Sequence, residues 1–286
     1  MPGKDPFVSK LRLHSFKEKI HIFGQWTIMN IKRYFRVELI ISSFDIMLAS
    51  KILVTTGINL GGAQTTSEIL DLTVKGGNLC KNWPDFPITA SGAAGGLIGN
   101  NVIICESGEC YSMTSQKATL VTHMSAVRSH AASIVLNGNA LWITGGSESY
   151  DILESTEYVK MSGTMPGPDL PMGLSLHALV AINNTVSMHI GGYADGWPPY
   201  TSASTFYHDH IGGQWINGPS LMQARSSHAA VVVTDEVTNE NFVVVTGGEG
   251  GLDSTEILQD LNWVEGKINV IFSVMLNLNV PIYKND

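Results

Sequence analysis

Four β-rich apolar runs along this chain each lead into a glycine turn: ILVTTG at 52–57, LWITGG at 141–146, VSMHIGG at 186–192 and FVVVTGG at 242–248. A degenerate fifth copy, VIICESG at 102–108, fills the gap between the first two. Glycine turns therefore recur at intervals of roughly 40 to 55 residues, the length of one propeller blade. A unit of that size cannot bury its own hydrophobic faces and has to stack on its neighbours. Val, Ile, Thr and aromatic residues fill the runs, as a pleated, buried surface favours. The paired glycines are expected at positive φ, where a side chain would clash.

Each unit carries ordered companions. RSHAASIV from Arg128, LSLHALVAI from Leu174 and SSHAAVVV from Ser226 each place a His-Ala pair at the head of an apolar strand. After the glycines come TSEILDL from Thr66, STEYVKM from Ser155, STFYHDH from Ser204 and STEILQDL from Ser254. A tryptophan follows at Trp83, Trp215 and Trp263, and segments such as WPDFP, GPDLPM and NGPSLM lead onward. This ordered set resembles the kelch repeat, which implies an all-β, kelch-like β-propeller of four-stranded blades. Five units are recognisable, at about 52–87, 88–127, 128–172, 173–224 and 225–267, the first without a visible opening strand. Kelch propellers usually close with six or seven blades, so the ring is expected to be truncated or closed by terminal strands. Residues 1–50 form a basic leader without assigned structure, 51–267 the repeat region, and 268–286 a closing strand or the start of a further blade.

Charge divides the chain in the same place. Met1 to Lys51 holds nine Lys/Arg against four Asp/Glu, and the rest holds eight against twenty-one, so nucleic-acid binding by the repeats is not expected. The segment from Met29 to Ser50 has a basic start and an apolar middle, but Glu38 and Asp45 interrupt it, so neither a signal peptide nor a membrane span is expected. The compartment stays open between extracellular and cytoplasmic. Three cysteines allow at most one internal disulfide, and Cys105 with Cys110, flanking a turn, is the preferred pair if the protein is exported. Asn183-Asn184-Thr185 is a glycosylation sequon at a hairpin, although an Asn-Asn turn needs no glycan to explain it.

Kelch-type propellers include copper-radical oxidases and sugar-acid isomerases, so catalysis is the alternative function. His208 and His210 would share one face of a strand and offer two imidazoles to a metal. The competing reading, a solvated turn, fits their place in the repeat better. His130, His177 and His228 are expected at equivalent positions in successive blades, packing around the axis. Arg128 and Arg225, just upstream, are expected to face a channel or rim and to offer planar forks to an anion. No complete ligand set for a copper-radical centre is recognisable, and no cofactor is expected.

A protein-interaction module without catalysis is the favoured reading, since a propeller holds its variable loops rigidly at two faces. The loops after the glycines differ most: SESYDILE from Ser147, YADGWPPYTSA from Tyr193 and EGGLD from Glu249. Tyr193, Trp197 and Tyr200 make the second the strongest candidate contact surface. The partner is an unidentified protein. Kelch adaptors of ubiquitin ligases carry BTB and BACK domains ahead of the propeller, and residues 1–50 do not resemble them.

Overall fold

The chain alternates short strands with tight turns, and a computed structural model describes residues 21–30, 33–41, 51–59, 62–63, 65–71, 80–90, 92–196, 198–234, 240–249 and 254–266. Trp197, the acidic stretch 235–239, the Gly-rich 250–253 and the segment 268–286 lie outside the described residues. Four antiparallel strands make each blade. Blade 2 comprises Ala94–Ile98, Asn101–Glu106, Glu109–Met113 and Ala118–His123. Blade 3 comprises Ala132–Leu136, Ala140–Thr144, Thr156–Lys160 and Gly163–Pro166. In blade 4 the strands are Ala178–Ala181, Val186–Ile190, Thr205–Asp209 and Gln214–Asn217. Blade 5 has Ala229–Thr234, Asn241–Thr246, Thr255–Gln259 and Asn262–Glu265. Blade 1 takes its opening strand, which the repeat pattern does not reveal, from the basic segment: Arg33–Ile41 pairs with Lys51–Asn59, followed by Ser67–Asp71 and Cys80–Trp83. His21–Asn30 pairs both with Arg33–Ile41 and with the inner strand of blade 5, so one hydrogen-bonded path joins the last blade to the first. Among the described residues no helix is long and apolar enough to cross a membrane.

The second strand of blade 3, Ala140–Thr144, is buried along its whole length, as expected of a strand covered on both faces. Apolar cores between neighbouring blades follow from this stacking. Ile103, Cys105, Leu141, Ile143 and Val159 fill the space between blades 2 and 3, and Val180, Met188, Ile190, Val243 and Val245 fill that between blades 4 and 5.

Glycine pairs close the second strands for a reason the structure makes specific. Gly191 and Gly192 have φ of 56° and 107°, and a Cβ on Gly191 would stand 2.6 Å from the Arg225 carbonyl oxygen of the next blade. Gly192 donates its N–H to that same oxygen at 2.8 Å. Gly146 makes the equivalent bond to Leu174 at 2.8 Å. A second set of inter-blade bonds runs through the residue two before each inner strand: Ser227 N–H donates to Leu176 O (2.9 Å), Leu176 to His130 O (3.0 Å), and His130 to Gly92 O (2.8 Å). His130, Leu176 and Ser227 all have φ of 54° to 58°.

That shared conformation corrects the expected equivalence of the histidines. His130 matches Leu176 and Ser227, whereas His177 and His228 match Ala131, one residue later. Both of the latter are buried, each with its imidazole against the glycine turn of the preceding blade, His177 on Gly145 and His228 on Gly191. Burial lowers each to about 3, so they are neutral packing groups at ordinary pH.

Candidate functional site

Arg128 and Arg225 occupy the same place, two residues before the left-handed residue, and neither faces a channel or rim. They are 1% and 0% exposed. Arg128 donates from Nη1 to the carbonyls of Gly145 (2.7 Å) and Ser155 (2.8 Å), and from Nη2 to Ser155 Oγ (3.0 Å) and Glu157 Oε1 (2.9 Å). Arg225 repeats the pattern on Gly247, Ser254 and Glu256, the last at 2.7 Å. The glutamates in turn accept backbone N–H bonds from the connection just upstream: Ser125 (2.8 Å) and Ala126 (3.2 Å) on Glu157, Met222 (2.6 Å) and Gln223 (3.1 Å) on Glu256. The two terminal nitrogens of each fork are engaged inside the blade, because a buried guanidinium needs a carboxylate and fixed carbonyls in place of water. Burial lowers the Arg128 pKa, and Glu157 opposes the shift.

His208 is also corrected: at 2% exposure it belongs to no solvated turn. It sits near the end of the third strand of blade 4 and packs on Trp142 of blade 3 at 5.0 Å between ring centres, and on Trp215 at 4.5 Å. His189 and His210 approach Trp142 at 5.3 and 4.9 Å, and His208 Nδ1 lies 3.2 Å from His210 Nδ1. Burial first, then the neighbouring His210, lowers His208 to about 4, with Asp209 opposing. Neutral imidazoles facing one another in this way fill an aromatic seam between two blades. Among the described residues no group of three or more His, Cys, Asp or Glu is arranged to hold a metal ion.

The exposed chemistry lies on the loops after the glycines. In blade 3, Ser147–Glu148 pairs with Asp151–Ile152 in a small hairpin, and Ser149, with φ 56°, turns Tyr150 outward until it is 97% exposed. In blade 4, Tyr193–Ala194 pairs with Tyr200–Thr201 and with Leu174–Ser175. Tyr193 is half-buried, and Tyr200, 48% exposed, lays its ring against Gly196, where a Cβ would be 3.0 Å from it. Gly173 lets the two loops close on each other. A Cβ there would meet Ile152 O at 2.7 Å and Asp195 Cβ at 3.2 Å, and Asp195 N–H donates to Gly173 O at 3.1 Å. The loops after the glycines and the connections between blades thus share a face.

That face is acidic. Glu148, Asp151, Glu154, Asp169, Asp195 and Glu249 are exposed on it, and among the described residues of these loops the only Lys or Arg are the buried Arg128 and Arg225. The turns at the other end carry Lys117 and Lys160 beside Glu240 and Asp260, a mixed surface. Tyr150 lies in a loop the sequence marks as variable, but only the hairpin register reveals that it forms the tip.

Asn183 is exposed in the opposite turns, at the far end of Val186–Ile190 from Tyr193. Cys105 and Cys110, paired directly across adjacent strands of blade 2, form a buried disulfide.

No family model matches the chain, and no curated protein matches it. Among solved structures, that of YjhT, a kelch-repeat propeller protein, is similar with a TM-score of 0.54 and 15% sequence identity, over 65% of this chain and 67% of that one. At that identity the likeness establishes the fold, an all-β arrangement of four-stranded antiparallel blades.

Proposed function

We propose that this chain is a non-catalytic protein-interaction module that binds its partner through the loops following the glycine turns of blades 3 and 4. The observation that carries this reading is Tyr150, held at a hairpin tip with its ring almost wholly in water, on the same face as the half-exposed Tyr200 of the next blade's loop. A large amphipathic ring kept on a rigid turn supplies contact area at low entropic cost. The exposed charges around it are acidic, so the partner surface it fits carries Lys or Arg, which pair with the carboxylates and stack on tyrosine faces. The repeats themselves do the binding in this reading.

The test is affinity capture from source extract with the wild-type chain, a Tyr150→Ala/Tyr200→Ala variant and a control altered on the other face at Lys117 and Lys160. The expected result is a partner whose binding falls tenfold or more in the tyrosine variant only, an effect typical of aromatic hot spots. Equal retention by all three proteins overturns the assignment of this face. Both tyrosines are exposed enough that folding stability should stay within about 0.5 kcal/mol.

A further inference from the structure

We propose that Asn183 carries an N-linked oligosaccharide. It opens the sequon Asn183-Asn184-Thr185 in the turn between Ala178–Ala181 and Val186–Ile190, and it is exposed. The two ends of its amide have separate duties. Oδ1 accepts from Thr185 N (2.8 Å), Thr185 Oγ1 (2.9 Å) and Val186 N (2.9 Å), and these bonds shape the turn. Nδ2 donates to none of the described residues. A sugar on Nδ2 therefore costs the fold no hydrogen bond, and Oδ1 keeps all three.

An asparagine turn at this place in a blade forms without a hydroxyl two residues on. The corresponding turns of blades 2 and 3 also use asparagine, at Asn100-Asn101 and Asn137-Gly138-Asn139, but neither has Ser or Thr two residues on from any of these asparagines. A second, independent observation points to the compartment where such a sugar is added. Cys105 and Cys110 are joined, and disulfides persist in the oxidising lumen through which exported chains pass. The modification joins Nδ2 to C1 of a lipid-pyrophosphate-linked oligosaccharide: the C1–N bond forms, the C1–O bond to pyrophosphate breaks, Nδ2 loses one proton, and the lipid pyrophosphate leaves. No redox change is involved. The glycan would stand one strand length, about 17 Å, from the tyrosine loops and leave that face uncovered.

Protein purified from its natural source decides the matter by mass spectrometry of the peptide spanning residue 183, before and after peptide-N-glycosidase. The expected result is a glycopeptide converted to one with Asp at 183, and an unmodified Asn183 overturns the proposal. In secretory cells the full chain behind a cleavable signal should show an enzyme-sensitive mobility shift. That shift should vanish completely in Thr185→Ala, which keeps both backbone bonds to Oδ1, and survive in Thr185→Ser. A shift that persists in Thr185→Ala places the sugar elsewhere and also overturns it.

Discussion

Where blades 3 and 5 carry Glu157 and Glu256 on the third strand, blade 4 carries Phe206, and opposite it Leu174 stands in place of Arg128 and Arg225. Leu174 and Phe206 are buried in one apolar cluster. The change reaches a third position. Three residues before the arginines stand Ser125 and Met222, whose N–H groups bind the glutamates, whereas blade 4 has Pro171, which has no N–H to offer. Blade 2 resembles blade 4 in all three places, with Pro87, the buried Ala90 and Tyr111. Donor, cation and anion are thus present together or absent together. Physical chemistry requires this, since a buried charge left without its partner costs about 3–5 kcal/mol, while replacing the whole pair by apolar groups is close to neutral.

Breaking one member should therefore have the largest effect. Glu157→Ala is expected to cost about 3–5 kcal/mol in urea denaturation, and Arg128→Leu/Glu157→Phe to recover most of it. A double variant as unstable as the single one would show that the two solutions are not interchangeable. Acid should distinguish blade 4 next, because it contributes His177, His189, His208 and His210 to its interfaces. His208 titrates at about 4 in the fold against an ordinary value of 6.5. The unfolded chain therefore takes up a proton that the native state refuses, so stability is full above pH 6.5 and is lost progressively down to about pH 4. His208→Leu should flatten that acid limb, followed by the fluorescence of the adjacent Trp142 and Trp215. An unchanged acid profile would remove His208 from the account.

The smallest expected effect lies in blade 2, where the Cys105–Cys110 bridge occupies the cross-strand site that blade 5 fills with Thr246 and Thr255, their hydroxyls 3.0 Å apart. Cys105→Ala/Cys110→Ala should cost about 2 kcal/mol for so short a loop. Cys105→Thr/Cys110→Thr should cost less by thermal melting if the sites are equivalent, and a loss as large as that of the alanine pair would separate them.

The repeat was legible because its letters report local needs: glycine for positive φ, β-branched residues for covered strands, Ser-Thr for the third strand. Partnership was not legible. Arg128 in isolation looks like a ligand for anions, and only the fold brings Glu157, 29 residues away, to its fork. Nor do letters reveal that His130, Leu176 and Ser227 share a backbone conformation that non-glycine residues seldom adopt, so matching the His-Ala pairs shifts one blade by a residue. The opening strand of blade 1 lacks the His-Ala pair altogether and passes as leader. For the candidate face, the sequence marks which loops differ between units, while hairpin register decides which ring stands outermost.

The bonds from Ser227 to Leu176, from Leu176 to His130 and from His130 to Gly92 all run one way around the molecule. Blades 3 and 4 each bring a donor for the blade before and an acceptor for the blade after, so this joint is the same from one module to the next. A duplicated blade spliced in at this point finds a complementary socket on each side, which gives a chain of this design a route to gain or shed whole blades without redesigning any junction.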